Sequence, residues 1–188
     1  MITPIRLLPA LAICALSLCA AGPELSPVAR SFDSQLNNIE RELVSLVEAM
    51  PADKFSFAPK NGQFAGARTF AQQATHIAAV NFQISAALLG EPNPVDMGKE
   101  ENGPADIKTK EQVVDFVKRS FAYTHKALAT LTSENLMGQV QSPFGKNKIA
   151  RLSVATMPQW HSFDHYGQMA VYARMCNIIP PASRPQTK

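Results

Sequence analysis

The amino-acid sequence predicts an all-α protein, an up-down four-helix bundle that follows a signal peptide. Four segments of roughly 20 residues repeat apolar side chains at steps of three and four, which is the periodicity of a helix with one buried face. Prolines and glycines separate these segments, and none of them alternates apolar with polar residues as a half-buried strand does. Amphipathic helices of this length bury their apolar faces most simply by packing as a bundle.

Chain length and charge restrict the class of protein. With 188 residues, 46% of them hydrophobic and 18% charged, the chain can bury one ordinary core. The net charge of +3 is too small and too scattered for a nucleic-acid-binding surface, so we expect no nucleic-acid partner. Three cysteines cannot form a fully paired disulfide framework. Membrane channels, collagen-like fibres and disulfide-stapled scaffolds are therefore excluded.

The beginning of the chain has the layout of a secretory signal peptide. One positive charge precedes an apolar run over residues 7–19, and small residues follow at 20–22. The run is shorter than the about 20 residues that a membrane-spanning helix needs. We expect cleavage after Ala21 and export to the periplasm or the medium, without stable membrane association afterwards. An uncleaved anchor is one alternative. A lipoprotein signal is another, because Cys14 and Cys19 lie in the run, although a large residue precedes each.

The predicted domain organisation has four parts. These are a signal peptide over residues 1–21, a linker over 22–30, the helical domain over 31–181 and a tail over 182–188. Cleavage after Ala21 would leave Cys176 as the one cysteine of the mature chain, so no intrachain disulfide is expected. Two-fold dimers are the commonest soluble oligomers, and we expect a homodimer on that ground alone.

The first two helices are predicted over residues 31–50 and about 69–89. Pro51 ends the first apolar repeat, because proline lacks the N–H that a helix interior needs. That repeat consists of Phe32, Leu36, Ile39, Leu43, Leu46, Val47 and Met50. A connection over residues 53–66 contains a proline and two glycines. Thr69 then fits the N-cap of the second helix, whose apolar residues include Phe70, Ala74, Ile77 and Leu88.

The third helix follows a long loop over residues 90–104, whose composition predicts an exposed crossover on the bundle surface. Thr109 and Gln112 fit a capping box at the start of this helix. Its apolar residues are Val113, Phe116, Val117, Phe121, Leu128 and Leu131.

A turn-rich link over residues 142–148 leads to the fourth helix. We expect that helix to begin near Ser153 or Pro158 and to end at Asn177. The proline pair at 180–181 prevents its continuation.

Three histidines lie where a bundle could bring them together. His161 and His165 are four residues apart, so their side chains leave the helix about 40° apart and one turn along its axis. That spacing allows both rings to reach one metal ion. His76 lies in an apolar stretch of the second helix, where its ring nitrogens need partners. A hydrogen-bonded core histidine and a chance spacing are the alternative interpretations. His125 lies one residue away from the apolar positions of its helix and is predicted to be a surface or border residue.

Several segments of the chain resemble the DinB-like (DNA-damage-inducible protein) superfamily of metal-binding four-helix bundles. The exit from the first helix, MPADKFSFAPKNG, the second-helix segment THIAAVNF and the ending HSFDHYGQMAVYARMCNIIPP match the order and spacing of that family. The resemblance implies that His76, His161 and His165 ligate one divalent metal. Two positions depart from the family pattern: Tyr166 stands where an arginine is frequent, and Asp164 where a second adjacent histidine often stands.

The resemblance implies a metal-dependent enzyme with a small-molecule substrate. Three neutral imidazoles leave a coordination position open, as in catalytic zinc sites. Zinc is the first expectation for the metal, with nickel or iron as alternatives, because imidazole suits all of them. The reaction is expected to be hydrolysis. Transfer of a low-molecular-weight thiol to an electrophile is one alternative, which export disfavours because reduced thiols are mainly cytosolic. A non-catalytic metal-binding or interaction bundle is the other.

The sequence does not identify a general base. No glutamate accompanies the two histidines of the fourth helix as it does in an HExxH metalloprotease, and Asp164 points about 100° away from His165. Polar residues should hold the second ring nitrogens of the three histidines. The candidates for that role are Gln72, Gln83, Asp164 and Gln168.

Overall fold

The computed structural model describes residues 24–185 and shows four long helices and a short hairpin. The helices are α1 Pro27–Ala49, α2 Phe70–Leu89, α3 Lys110–Leu128 and α4 Arg151–Met175. Two three-residue strands, β1 Gln139–Gln141 and β2 Lys148–Ala150, pair antiparallel between α3 and α4. Over residues 24–185, no helix is both long enough and apolar enough to cross a bilayer. The predicted signal peptide, residues 1–21, lies outside the described residues.

The helix starts are set by local capping. Both predicted capping boxes form: Thr69 with Gln72 begins α2, and Thr109 with Gln112 begins α3. Helix α1 begins before the predicted start, at Pro27, because the Ser26 hydroxyl accepts a hydrogen bond from the backbone of the first turn. Part of the predicted linker is therefore helical.

Helix α4 also begins earlier than expected, at Arg151, so that Pro158 lies inside it. The hairpin fixes the position at which the helix begins, because the Arg151 backbone N–H donates to the carbonyl of Gly138 at 2.8 Å. Pro158 lacks an N–H and so leaves one carbonyl of the preceding turn without its helical partner. The two histidines of α4 lie in the half of the helix that follows this proline.

Each helix packs against two others, in the cyclic order α1, α3, α2, α4. Helix α3 is antiparallel to α1, because Lys110 at the start of α3 donates to the carbonyl of Met50 just beyond the end of α1, at 2.9 Å. Helix α4 is antiparallel to α2, because Arg151 at the start of α4 donates to the carbonyl of Leu88 near the end of α2, at 3.0 Å. Helices α1 and α2, which are consecutive in the chain, therefore lie on a diagonal of the bundle.

Helices α2 and α3 run parallel, which corrects the predicted up-down order. Thr75 and Val113, in the early turns of the two helices, line one cleft, and Ser85 donates to Thr124 at 3.0 Å near their other ends. Residues 90–109, called the crossover below, carry the chain back along the bundle from the end of α2 to the start of α3. A loop of this length can span a helix of about 30 Å, so its length in the sequence permits either direction for α3.

Helix α2 is the most enclosed element, with most of its residues buried. Helices α3 and α4, the hairpin and the crossover all contact it. The largest fully buried side chains of the bundle include Phe70 of α2, Phe116 and Phe121 of α3 and Leu43 of α1. Each such side chain stabilises the fold by about 1.5–3 kcal/mol relative to exposure. A side chain on the inner face of α2 is thus held in a fixed position.

Candidate metal centre

The structure brings His76, His161 and His165 together. His161 and His165 project from successive turns of α4, and His76 approaches them from α2, with ring centroids 4.6–5.1 Å apart. One nitrogen from each ring lies within 4.8 Å of the others, and the Nε2 atoms of His76 and His161 are 3.3 Å apart. Among the described residues, no further histidine, cysteine or carboxylate belongs to this cluster.

The donor atoms fit a divalent metal ion. Two nitrogens that ligate a tetrahedral zinc ion at about 2.0–2.1 Å lie about 3.3 Å apart, which is the spacing of the His76 and His161 Nε2 atoms. His76 Nδ1 donates to the backbone carbonyl of Glu101 at 2.9 Å, and His165 Nδ1 donates to Gln73 Oε1 at 2.6 Å. Because carbonyl oxygens only accept, the proton of each ring is on Nδ1 and the Nε2 lone pair is free.

A chain of hydrogen bonds extends from His165 toward the surface. Gln73 Nε2 donates to Gln168 Oε1 at 3.0 Å, and Gln168 Nε2 donates to Asp164 Oδ2 at 3.2 Å. Gln168 and Asp164, two of the predicted partners of the ring nitrogens, therefore belong to the network without contacting a ring. Gln73 makes that contact instead. It precedes His76 by one helical turn, and this i, i+3 spacing is the signal by which the sequence could have revealed it.

The other two predicted partners lie elsewhere. Gln72 closes the capping box of α2, and Gln83 donates to the carbonyl of Pro143 at 2.7 Å. Neither touches a histidine ring because helical geometry turns Gln72 about 100° from Gln73 and places Gln83 about two turns beyond His76.

The crossover completes the surroundings of His76. Its backbone turns sharply at residues 98–103, where Glu100 and Glu101 have φ values of 57° and 58°. In this conformation the carbonyl of Glu101 accepts from His76, and the carbonyl of Glu100 accepts from Arg68 at 2.7 Å. Residues other than glycine seldom adopt this left-handed region. No side-chain motif encodes a backbone carbonyl as a partner, so sequence analysis missed it.

All three imidazoles are electrostatically suited to remain neutral. Burial, followed by the two neighbouring rings, lowers the pKa of His161 to about 3. Burial and His76 lower the pKa of His165 to about 4, against the opposing charge of Asp164. Burial also lowers the pKa of His76 below 6.5, although its hydrogen bond to the Glu101 carbonyl opposes the shift. Neutral imidazole is the form that binds a metal.

Gln73 and Gln168 connect the cluster to an open cleft of about 550 Å³. Gln73 and Gln168, which extend from His165, line this cleft together with Arg68 and the apolar side chains of Phe64 and Tyr172. The cleft is large enough for a small organic ligand. The three histidines are not among its lining residues, and Gln73 is the lining side chain that contacts a histidine ring.

His125 takes no part in the cluster. It lies on the face of α3 that packs against α1. Its Nδ1 contacts Asp33 at 2.5 Å and its Nε2 contacts Glu40 at 2.9 Å, and both carboxylates belong to α1. The residue is partly buried, and its two hydrogen bonds tie α3 to α1. Partial burial agrees with the predicted surface or border position, but the two hydrogen bonds to α1 were not predicted.

Comparison with known proteins identifies the family. A family model described as the DinB superfamily matches residues 35–169. The fold is similar to the crystal structure of a DinB-like protein from Bacillus cereus ATCC 10987, with 16% sequence identity and a TM-score of 0.64 over 81% of this chain and 95% of that one. No curated protein matches the sequence. The family model covers most of the chain and the four helices have the arrangement of a DinB-like structure, and the chain therefore belongs to the DinB superfamily.

Proposed function

We propose that this protein is a metal-dependent hydrolase in which His76, His161 and His165 hold one divalent ion, zinc in the first instance. The observation that carries the proposal is the convergence of three neutral imidazoles, which Gln73 connects to an open cleft. A structural zinc site is closed by four protein ligands, whereas a catalytic one keeps a position for water or substrate. Among the described residues the cluster offers three ligands, which favours an enzyme over a purely structural site.

The chain's own residues would orient the ligands. Gln73 fixes the ring of His165, and the Glu101 carbonyl fixes the ring of His76. Such outer hydrogen bonds set the tautomer and raise the basicity of the coordinating nitrogen. A bound ion supplies a Lewis acid that lowers the pKa of a coordinated water toward neutrality. Because the three ligands carry no charge, none of them offsets the charge of the ion.

Metal binding is tested by titrating the purified, chelator-treated protein with zinc and with cobalt. Trp160 provides an intrinsic signal, because it is the one tryptophan of the chain and its ring lies 6.0 Å from that of His161. We expect His76→Ala to weaken zinc binding at least about 100-fold, since one of three ligands is lost. His125→Gln is the matched control and should bind zinc as the parent does. Equal affinity of His76→Ala and the parent would refute the metal centre.

The reaction is tested with the zinc-loaded protein and a panel of carboxylic esters and amides. Hydrolysis that disappears after chelation, and in His76→Ala, supports the proposal. Metal-dependent consumption of a chloro-nitro-aromatic compound only in the presence of a small thiol would replace hydrolysis by thiol transfer. Tight zinc binding without either activity would indicate the non-catalytic bundle.

We propose that the protein is exported, on the evidence of residues 1–22 alone. The supporting pattern is the apolar run of residues 7–19 followed by small residues. N-terminal sequencing and intact mass of protein recovered from the producing cell test the proposal. A mature chain that begins at Gly22 supports it, whereas a cytosolic product that begins at Met1 contradicts it.

A further inference from the structure

Arg68 lies in the connection that leads into α2 and lines the cleft that Gln73 connects to the histidine cluster. Gln73 and Gln168, the glutamines that extend from His165, line the same cleft. The cleft that contains the guanidinium group is thus connected to the candidate metal centre through Gln73.

The guanidinium group has no anionic partner within residues 24–185, where every ion pair involves other side chains. Its Nε donates to Asn102 Oδ1 and its Nη2 donates to the Glu100 carbonyl, each at 2.7 Å. Both acceptors are neutral and both belong to the crossover. These bonds occupy the side edge of the guanidinium, and its end, formed by Nη1 and the second N–H of Nη2, makes no hydrogen bond within the described residues.

Guanidinium N–H groups in parallel match the two oxygens of a carboxylate, and such bidentate pairs are among the stronger hydrogen-bonded contacts in proteins. Arg68 is partly buried, so a charge-paired ligand would relieve an uncompensated charge. The walls of the cleft near it are largely apolar and include Phe64, Val171 and Tyr172. The cleft therefore combines one cationic group with space for an apolar body.

We propose that Arg68 is a substrate-binding residue that holds the carboxylate of a small carboxylic acid derivative whose apolar body lies in the cleft. The assignment of the substrate class rests on the proposed hydrolase, because it is the metal centre that makes the cleft a reaction site. A monoanion fits better than a phosphate, because Arg68 is the one cationic side chain that lines the cleft. Arg68 binds and orients the substrate and takes no part in bond cleavage.

The test compares binding of phenylacetate and of its neutral analogue phenylacetamide to the zinc-loaded, full-length protein by calorimetry. We expect the carboxylate to bind at least about tenfold more tightly than the amide, and Arg68→Gln to remove the difference. Arg68→Lys keeps the positive charge but lacks the parallel N–H groups of the guanidinium, and it should bind phenylacetate with intermediate affinity. Arg119→Gln is the matched control, because Arg119 is exposed and pairs with Asp115 on α3.

The outcomes separate this proposal from the metal centre. Equal binding of phenylacetate by the parent and by Arg68→Gln overturns it, because the carboxylate would then contact the ion or another group. Tighter binding of phenyl phosphate than of phenylacetate overturns the assignment to a carboxylate. Absence of zinc binding would refute the hydrolase alone. Arg68-dependent binding of phenylacetate to the metal-free protein would still support the anion site. If Arg68→Gln does not fold, as judged by its melting transition, the affinity of Arg68→Lys for phenylacetate is used instead. A value below that of the parent supports the proposal, and an equal value overturns it.

Discussion

The hydrogen bond between His165 Nδ1 and Gln73 Oε1, at 2.6 Å, joins a candidate ligand on α4 to a side chain on α2. The amide of Gln73 is held in turn by Gln168, so its oxygen faces His165. An amide oxygen only accepts, and therefore this bond selects one tautomer of the ring. A single side chain thus determines which nitrogen of His165 is available to a metal.

We predict that Gln73→Ala weakens zinc binding about 10- to 100-fold, because the ring of His165 loses its orientation and its fixed proton. Competition with a chromophoric chelator measures the change. Gln72→Ala is the matched control: it removes the capping box of α2, lowers stability by about 1 kcal/mol, and leaves zinc affinity unchanged. Unaltered zinc affinity in Gln73→Ala would contradict the prediction.

His125 provides a second prediction at the residue scale. The hydrogen bond to Glu40, together with that to Asp33, raises the pKa of His125 above 6.5, against the opposing effect of partial burial. A histidine whose pKa is raised by folding stabilises the protein fully below about pH 6.5, and this contribution is lost as pH rises through the folded-state pKa. We expect His125→Gln to be less stable than the parent by about 1 kcal/mol at pH 6 and by less at pH 9.

Urea unfolding of the metal-free parent and of His125→Gln at both pH values measures this difference. Arg119→Gln, on the exposed face of the same helix, controls for a general effect of substitution in α3. A stability difference that stays constant or grows between pH 6 and pH 9 would show that the two carboxylates do not stabilise a protonated His125.

At the scale of the elements, the path of the crossover depends on a glycine. Gly98 has φ 64° and ψ −176°, a conformation open essentially to glycine alone, and a Cβ at this position would overlap the carbonyl oxygen of Gly103. The same turn presents the Glu101 carbonyl to His76. The fold of a surface loop and the orientation of a buried ring therefore depend on each other.

We predict that Gly98→Ala weakens zinc binding about tenfold without altering a ligand, because the displaced crossover no longer holds His76. Gly90→Ala is the matched control, since Gly90 also has a positive φ of 72° but lies in open space at the end of α2. It should lower stability by about 1 kcal/mol and leave zinc affinity unchanged. Zinc titration together with thermal unfolding distinguishes the two effects, and equal zinc affinity in both variants would contradict the prediction.

Most of the helical elements could be predicted from local signals. The capping boxes at Thr69 and Thr109 and the stop at Pro51 each involve residues within one turn of one another, so the sequence contains the whole interaction. The start of α1 at Pro27 was also encoded locally, in the Ser26 cap. The start of α4 was not, because the hairpin that precedes it sets the position of Arg151.

The candidate site was predictable in part, for the same reason. The spacing of His161 and His165 is a property of one helix, and the resemblance to DinB-like proteins added His76 from another. The contacts of Gln73 and of the Glu101 carbonyl depend on how α2, α4 and the crossover pack. Arg68 carried no motif and became a candidate only because the fold placed it in the cleft.

At the scale of the whole molecule, the parallel pair of α2 and α3 is the feature for which the prediction of an up-down order was wrong. Helix length and loop composition limit the fold to a bundle but permit several directions for each helix. The direction of α3 depends on contacts between residues that are far apart in the chain, such as those of Lys110 with the end of α1. Interactions of this kind leave no periodic signal in the sequence.

The path of the crossover also has a kinetic consequence. Opening of the crossover must break the bond between the Glu101 carbonyl and His76, so a ligand that needs an oriented His76 should make such opening rarer. Trypsin reports this opening at Lys99, whose exposed side chain lies in the crossover. We predict that zinc slows cleavage after Lys99 several-fold and leaves cleavage after Lys60, in the loop before α2, unchanged. Equal slowing at both sites would indicate stabilisation of the whole fold. Slowing at Lys99 alone would show that zinc controls the access of the protease to the crossover.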